Sequence, residues 1–597
     1  MVISQKKRNE IDDKFKWSID NLFETDEKWS KEYERLELEI PKIEAFKGKL
    51  KDADMILKCI EMELGIMKDI HRVYVYANMK SHEDGGNSKY QGFATQSDSL
   101  LVLATEAFSF INPEILALDE AFLRDMIDND NRLAFYRHSF DDLLRGRKHI
   151  LSEEIEAILA ATGDMSGAME NAYSMLCDAD MKFGMVKDEN GNDVELTHGK
   201  YLSFMESKNR DVRKNAHDAM YTQYQAHKNA IAALYSSSVK KDLFYSKARK
   251  HSSCVEHALF ERNIPKEVVA NLIKTVHEYL PALQKYLQIR KKSLGLSELQ
   301  PYDLYVQFVD DFDSTVEYDK AKELIIKGLA PLGDEYIDVL KRSFESGWID
   351  VYENEGKHSG AYSWGAYGCH PFVLMNYDNR MYDMFTLAHE MGHALHSHYS
   401  WTTQPYIYSG YSIFNAEVAS TVNETLLIDY LLKNAADKNE EKYLTNHFID
   451  GFKGTVFRQT MFAEFEMKTH ELVENGEALT VDLLCETYAK LLKKYFGDEM
   501  IVNDNIAMEW ARIPHFYNPF YVFQYATGYS AAIALSQKIL KKGSPAVKDY
   551  IDFLKSGGSD YSIDLLKKGG VDMSKPEPVR AALDVFTGLV EKLEGLS

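Results

Sequence analysis

The chain has 597 residues, of which 45% are apolar and 27% charged, the composition of an ordinary globular protein. Acidic residues number 93 against 70 Lys and Arg, and the resulting charge of −23 opposes binding to the phosphates of nucleic acid. The N-terminal segment lacks the apolar core of a secretory signal, and no apolar run reaches the about 18 residues of a membrane span, so neither is expected.

Helical periodicity dominates the chain. Residues 26–50 place apolar side chains at three- and four-residue spacing between charges. The same pattern recurs at 91–128, 150–163, 208–249, 265–292, 420–436 and 478–496. With only 13 prolines to interrupt helices, the sequence predicts a mainly α-helical protein. No linker is evident, and we place the boundary between a mostly helical N-terminal lobe, 1–200, and a second region, 201–597, at residue 200.

Two stretches are predicted to be extended. Residues 181–197 alternate apolar and polar side chains around Asn190-Gly191, the strongest two-residue hairpin signal. Residues 359–377 are rich in glycine and aromatic side chains and show no helical period, so they add a small β-sheet to the helical body. Their first residues, 359–362, are interpreted as an edge strand that could pair with an extended peptide, or equally as a buried strand of small residues.

The segment TLAHEMGHALHSHYS, residues 386–400, contains four histidines. His389, Glu390 and His393 form H-E-x-x-H, which on a helix places both imidazoles on one face, one turn apart. Two such imidazoles can bind one zinc ion at about 2.0–2.1 Å, and the glutamate then stands beside the zinc-bound water as a general base. The alternative is an amphipathic helix whose histidines coincide by chance, and a third ligand would decide between the two.

Glu417 is the best candidate for that third ligand. It lies in FNAEVASTVNETLLIDYLL, predicted as a second helix, where a carboxylate on an apolar face needs a partner such as zinc. The intervening WTTQPYIYSGYS is long enough to return this helix antiparallel to the first. Glu424 shares the face of Glu417 and would either orient a ligand histidine or be a solvated charge. His396 lies a turn too far along its helix to join the ligands, and Tyr399 stands where a metzincin has its third histidine, which excludes that class.

Together these motifs resemble the thimet-oligopeptidase clan, and most of all its oligoendopeptidase F branch. The resemblance rests on HEMGHALH followed 24 residues later by Glu417 in AEVAST, and on the runs GKHSGAYSWGAYGCHPFVLMNY and ARIPHFYNPFYVFQYATGYSAA. It covers roughly residues 200–580. It implies two mostly helical lobes around a deep substrate channel, with zinc held at its floor by His389, His393 and Glu417 and with Glu390 as the general base.

The resemblance also implies a histidine and nearby tyrosines that meet the scissile carbonyl from the other wall of the channel. These would be His515 and Tyr525, with Tyr521 and Tyr529 as further substrate-binding candidates. The chain has FYNPF where the thimet branch has a glycine-rich loop, so the register of the tyrosines is open by one or two residues, and the alternative is that these aromatics are core. The candidates for binding the substrate backbone, at the edge strand, are Gly360, Ala361 and Tyr362.

Two other hypotheses compete with a zinc endopeptidase. GAMEN at 167–171 matches a signature of zinc aminopeptidases, but 217 residues separate Asn171 from His389, and the third ligand of those enzymes would fall at Ser412. A non-catalytic peptide-binding protein with a structural metal would have no need of Glu390, and structural zinc sites usually close with four protein ligands.

We therefore predict a zinc endopeptidase, with one zinc ion per chain, that hydrolyses internal bonds of short unstructured peptides. We expect no nucleic-acid or membrane partner. Five isolated cysteines without a C-x-x-C pair are typical of a reducing cytoplasm, which is the expected location. No motif indicates the preferred residues at the cut or the oligomeric state.

Overall fold

A computed structural model of the chain describes residues 5–309 and 315–596. Within them, helices predominate and strands are few and short, which confirms the predicted mainly α class. The helices α1 to α26 are Asp26–Glu39, Ala53–Glu83, Ser88–Phe108, Ile111–Ala117, Glu120–Asn129, Asn131–Ala134, Arg137–Gly146, Glu153–Ala161, Gly163–Ser174, His198–Met205, Arg210–Ala248, Cys254–Glu261, Lys266–Glu278, Leu280–Ser293, Tyr318–Gly328, Asp334–Glu345, Met381–Thr403, Ile413–Lys433, Lys438–Phe452, Arg458–Glu474, Val481–Phe496, Asp504–Ala507, Phe523–Lys542, Ser544–Lys555, Ser562–Lys568 and Glu577–Leu596. The strands β1 to β5 are Met185–Lys187, Asp193–Glu195, Ile349–Asp350, Tyr362–Trp364 and Phe372–Leu374.

Sequence signals account for many helix ends. The 39-residue helix α11 starts after Asn209, whose side chain accepts the amide hydrogen of Asp211, as an N-cap should. Pro281 lies at the start of α14, so the periodic stretch 265–292 is divided into α13 and α14 rather than forming one helix. Likewise α1 gives way to a 3₁₀ turn where Pro41 follows it.

The two small sheets differ in how closely they follow the predictions. β1 and β2 form the expected antiparallel hairpin, with Gly191 at φ +80°, a left-handed conformation that glycine adopts without strain. The second sheet has the order β3-β5-β4, with β3 parallel and β4 antiparallel to β5. An edge strand therefore exists, but it spans Tyr362–Trp364 and not 359–362. The prediction was three residues early because Gly360, at φ +82°, turns the chain before the strand begins.

The chain forms two compact units, each assembled from separate segments. Unit 1 comprises Met1–Lys148, Ser314–Tyr430 and Leu535–Gly570. Its core gathers apolar residues between Trp17 and Leu144 and adds Phe372 and Leu374 of β5. Unit 2 comprises His149–Asp313, Leu431–Ala534 and Val571–Ser597, and the long helix α11 contacts α9, α10, α20 and α21 within it. The lobe boundary at residue 200 and the substrate channel stay predictions.

One stretch of the described chain, Ser88–Ala117, is long and apolar enough to cross a membrane by length and composition. It consists of α3 and α4. Leu100, Ala104 and Phe108 on α3 belong to the core of unit 1, and α3 packs along α2. The expectation of no membrane partner stays a prediction.

Candidate metal centre and catalytic residues

Helix α17, Met381–Thr403, carries the H-E-x-x-H segment. Its first turn is fixed by Asp383, whose carboxylate accepts the backbone amide hydrogen of Arg380 at 3.0 Å. One side of the helix is buried, whereas the side chains of His389 and His393 keep 27% and 17% of their surface exposed. The pair therefore occupies the margin of the core, where a ligand can reach it.

Helix α18, Ile413–Lys433, runs back antiparallel to α17, as predicted. The connection between them is shorter than the predicted WTTQPYIYSGYS, because α17 continues to Thr403. The direction follows from the contacts, since Ala388 meets Asn423 whereas Gly392, further along α17, lies against Ser420, which comes earlier on α18. The two helices approach so closely that a Cβ on Gly392 would lie 2.5 Å from the Ser420 Cα. Only glycine fits at this position, which explains the residue inside the motif.

His389, His393 and Glu417 meet in one place. The two Nε2 atoms are 3.1 Å apart, and Oε2 of Glu417 lies 3.6 Å from His389 Nε2 and 3.9 Å from His393 Nε2. A tetrahedral ion with bonds of about 2.0–2.1 Å separates its ligands by about 3.4 Å. In the described part of the chain this is the one cluster of its kind, and its donor set and spacing fit zinc. These three predicted ligands are thus brought together.

Neighbouring side chains hold the candidate ligands in orientation. Oε1 of Glu424 lies 2.5 Å from Nδ1 of His389, which leaves Nε2 directed at Glu417. Asn423 donates its amide hydrogen to the carbonyl oxygen of Ala388 at 3.0 Å and accepts a hydrogen bond from the Tyr336 hydroxyl at 2.8 Å. Glu424 therefore has the orienting position proposed for it, while Asn423 and Tyr336, which sequence reasoning missed, fasten α18 to α17.

The site concentrates negative charge. Burial opposes the charged form of His389, but Glu424, Glu390 and Glu417 outweigh it and raise the pKa of His389 to about 9. Burial, together with His389, lowers the pKa of His393 well below its usual value. Three carboxylates around two imidazoles form the environment that a divalent cation neutralises.

Glu390 lies beside the ligands without being one of them. It is 7% exposed, and burial is the main cause that raises the pKa of its carboxyl to about 7. The backbone amide of Ser363, in the edge strand β4, lies near this carboxylate and acts in the opposite direction, to lower that pKa. Val373 of β5 donates its amide hydrogen to Trp348 on the other side, so the backbone groups of its partner Ser363 face outward. The general-base candidate is thereby tied to the open edge of the sheet.

The remaining histidine with a proposed position, His396, is a packing residue. It is 1% exposed, its ring stacks on Tyr411 at 3.7 Å, and burial lowers its pKa to about 3.

The predicted substrate-binding residues Gly360, Ala361 and Tyr362 lie at the start of β4. The Tyr362 hydroxyl lies 2.7 Å from Nδ1 of His82. Gly360 has its carbonyl oxygen bonded by the Asn376 amide. Ala361 lies between them, just before β4.

The predicted oxyanion donors lie in unit 2. His515 Nε2 is 3.5 Å from the Tyr525 hydroxyl, and the Tyr521 ring lies 5.4 Å from that of Tyr525 and 6.2 Å from that of His515. These three residues form one aromatic cluster. Tyr529, a turn further along α23, packs against Phe452, with a ring distance of 5.1 Å. The roles of all four residues stay predictions.

The FYNPF loop ends on a residue with a strained backbone conformation. Phe520 adopts φ +54°, a left-handed conformation that is uncommon for side chains other than glycine. Its amide hydrogen is accepted at 3.0 Å by Glu466, a carboxyl that is fully buried and whose pKa is raised well above its usual value by burial. Sequence reasoning missed Glu466, because a glutamate on α20 gives no local signal of this distant contact.

On two adjacent helices, α17 and α18, the protein carries two histidines and two glutamates in the arrangement of the metallopeptidase class. These residues are His389, Glu390, His393 and Glu417. The sequence matches the family model described as Peptidase family M3 over residues 203–585 and that described as Oligopeptidase F over 114–183. The chain belongs to peptidase family M3, and it is a metalloendopeptidase. This confirms the resemblance read from the motifs. The GAMEN segment falls on helix α9, far along the chain from the metal motif.

Known relatives match nearly the whole chain. Oligopeptidase PepF of Bacillus subtilis is 47% identical over 602 residues, which cover all of this chain and 90% of PepF. The crystal structure of oligoendopeptidase-F from Enterococcus faecium has a TM-score of 0.75 and 35% identity, and covers 96% of this chain and 99% of its own. A chain from Chlamydophila abortus described as a peptidase has a TM-score of 0.93 and 34% identity over the full length of both.

Proposed function

We propose that the chain is a zinc-dependent endopeptidase that cuts internal bonds of short unstructured peptides in the cytoplasm. The proposal rests above all on one observation: the donor atoms of His389, His393 and Glu417 are spaced for one metal ion, and a buried carboxylate, Glu390, stands beside them. Three protein ligands would leave a position open for water, as catalytic zinc sites do, whereas structural sites usually close with four. One zinc ion per chain is proposed.

Glu390 is assigned the proton transfers. Bound zinc would polarise the scissile carbonyl and make a water molecule more acidic. The carboxylate of Glu390 would accept the proton of the attacking water and pass it to the nitrogen of the leaving amine as the C–N bond breaks. A pKa near neutrality suits both steps, and burial of the carboxyl favours such a value.

His515 and Tyr525 are assigned to the developing oxyanion. An imidazole N–H and a phenol O–H are both suitable donors, and their shared contact keeps them together in one cluster. Tyr521 belongs to the same cluster and is assigned to substrate binding. Tyr529 is a weaker candidate, because its ring packs against Phe452.

The substrate backbone is assigned to the edge of the small sheet. Gly360 and Ala361 lead into β4, which begins at Tyr362 and whose outward backbone groups at Ser363 stand beside Glu390. Pairing with a strand edge recognises an extended main chain and not a free terminus, which favours cleavage of internal bonds. Folded proteins would first have to unfold locally, at a cost of up to about 5–15 kcal/mol, so short flexible peptides are the preferred class.

Metal analysis combined with an internally quenched peptide tests the proposal. Purified protein should contain close to one zinc ion per chain, chelation should abolish hydrolysis, and added zinc should restore it. The peptide should be cut equally well with an acetylated N-terminus. Strict removal of single N-terminal residues, or active protein with well under half an equivalent of metal, would contradict the proposal.

Two matched variants separate the roles of the carboxylates. Glu390→Gln should keep its zinc and lose hydrolysis by several orders of magnitude, whereas Glu417→Ala should lose zinc. Glu335→Gln, which changes an exposed glutamate paired with Lys555 on the same unit, is the control and should behave as wild type. Near-normal turnover in Glu390→Gln would move the base elsewhere.

A further inference from the structure

Unit 2 contains a cavity of about 80 Å³ whose lining residues include none of the metal ligands. It lies among α11, the π-helical turn Lys453–Phe457, α20 and the 3₁₀ turn Glu509–Arg512. A single water needs only about 10–15 Å³ by this measure, so the cavity has room for several waters or for one small polyatomic ion. The π-helical turn widens the helix at this wall, and such turns are frequent at functional sites.

The cavity wall carries more positive than negative charge. Lys453, Arg458 and Arg512 line it, with Glu509 as the single carboxylate among the lining residues. Lys453 is paired with Asp450 at 2.6 Å, and Arg458 with Glu509 at 2.5 Å. Arg512 has no carboxylate oxygen within 4.0 Å in the part of the chain that the structure describes. Of the three cationic side chains on the wall, Arg512 is therefore the one without an ion pair.

The carboxylates nearest to Arg512 are already engaged. Glu509 also accepts a hydrogen bond from the Tyr488 hydroxyl at 2.6 Å, so both its oxygens have partners. Asp303, in the adjoining interior, is shared by Arg210 and Arg213, each at 2.8 Å. Glu509 still attracts Arg512 electrostatically, but no acidic side chain in the described residues forms a direct ion pair with it. A chain whose total charge is −23 keeps a local positive surplus here, which is costly unless a counterion joins it.

Two nitrogen atoms on the wall lack hydrogen-bond partners. The Arg512 guanidinium lies over the rings of Tyr201 and Tyr221, at 4.5 and 5.3 Å, and bonds the Tyr221 hydroxyl at 3.2 Å. Nε2 of His217, a residue only 1% exposed, has no partner, but Nδ1 of that ring lies 3.4 Å from a carboxylate oxygen of Asp218 and carries the proton of the neutral ring, so this Nε2 is an acceptor. The Nε of Arg512, by contrast, is a donor without a partner. A buried donor without a partner costs about 1–3 kcal/mol, more when it is charged. The unpartnered Arg512 nitrogen therefore indicates a missing acceptor.

We propose that this cavity is a binding site for one small inorganic anion, a halide or a tetrahedral oxyanion, held by Arg512 Nε. Such an anion supplies the negative charge and the acceptor that the wall lacks, and it fits the volume. Carboxylates on bulky organic molecules do not fit.

Anion binding has a consequence that rests on the proposed function. Arg512 ends one 3₁₀ turn, and the next, Pro514–Tyr517, carries His515. An anion that holds Arg512 would also restrain the segment that presents His515, so hydrolysis would depend on the anion. Binding itself is independent of this step and is measured separately.

Bromide locates the site directly. Crystals of the full chain grown in sodium bromide should show an anomalous peak in the cavity, within hydrogen-bonding distance of Arg512 Nε. Crystals grown in sodium phosphate should show a tetrahedral group there if the oxyanion is preferred. A cavity filled with water alone in both salts would overturn the proposal, whatever the enzyme hydrolyses.

Thermal unfolding in salts of matched ionic strength provides the second test. Replacing sodium gluconate, whose anion is too large, by chloride, bromide or phosphate should raise the midpoint by at least about 2 °C and in proportion to the logarithm of concentration above saturation. Arg512→Gln should abolish the shift, and Arg580→Gln, which alters an exposed arginine paired with Glu278 in unit 2, should retain it. An unchanged shift in Arg512→Gln would refute the assignment. If Arg512→Gln does not fold, the bromide map of the wild type decides.

Discussion

Replacing Gly392 with alanine tests whether the close approach of α17 and α18 builds the metal centre. The added Cβ would lie 2.5 Å from the Ser420 Cα and 2.7 Å from the Ala419 carbonyl oxygen, both of them backbone atoms. Neither can move aside like the end of a side chain. The two helices must therefore separate. Because α17 carries the two histidines and α18 carries Glu417, their separation moves the candidate ligands apart.

The size of the effect follows from these distances. Ordinary contact begins at 3.4 Å, so the helices must part by about 0.9 Å. Metal–ligand distances tolerate only about 0.2 Å, and an error of about 1 Å in a catalytic site can cost about 10²-fold in rate. Overpacking costs about 1–3 kcal/mol, of which the better helix propensity of alanine returns up to about 1 kcal/mol. We expect weaker zinc binding, a large loss of activity and a modest loss of stability.

Competition for zinc with a chromogenic chelator, together with urea unfolding of the metal-free protein, measures both quantities. Gly65→Ala is the control, because Gly65 lies in helix α2 of the same unit and a Cβ there meets nothing within 4 Å. That control should gain about 0.5–1 kcal/mol and keep its zinc affinity. If Gly392→Ala matched Gly65→Ala in both measurements, the helices would not be in the close contact described.

Three further predictions concern other residues. Glu424→Gln should weaken zinc binding by about 10–100-fold in the same chelator assay, because the negative charge that orients His389 is lost; unchanged affinity would make Glu424 a bystander. Tyr525→Phe should lower kcat by about 10²–10³-fold with little change in KM, and an effect on KM alone would mark a binding residue. Glu466→Leu should cost about 1–3 kcal/mol of unfolding free energy by leaving the Phe520 amide unpaired, whereas Glu466→Gln should not. Because burial raises the pKa of Glu466, the wild type loses stability as the pH rises above the ordinary carboxyl pKa of 4.5. The stability of Glu466→Gln relative to wild type should therefore increase with pH. A stability difference that stays constant with pH would argue against a protonated carboxyl.

The metal centre could be predicted from the sequence because its parts are close together in the chain. His389 and His393 are one helical turn apart, and Glu417 follows on the next helix, so helical period and one short connection suffice to bring them together. The chemistry of H-E-x-x-H then restricts the class of protein further. The Asn190-Gly191 hairpin was predictable for the same reason, since two residues determine the turn.

Features that depend on distant contacts could not be predicted. The start of β4 is set by the left-handed turn at Gly360, and the same FYNPF that leaves the register of the tyrosines open is held by Glu466 from another helix. The unpaired charge of Arg512 becomes visible only when every neighbouring carboxylate has been assigned a partner. Each of these is a long-range contact, and local patterns of apolar and polar residues carry no record of them.

The segmented construction of unit 1 determines when the metal helix can be completed during synthesis. Helix α17 packs on α24, and the His396 ring lies 5.6 Å from that of Phe553. A ribosome adds about 5–20 residues per second, so the 164 residues from His389 to Phe553 take roughly 10–30 s to appear. Throughout that interval the nascent chain displays both histidines without the helix that packs behind them. We therefore expect proteolytic competence to arise only near the end of translation, which protects a half-made chain, and its unfolded neighbours, from premature cleavage.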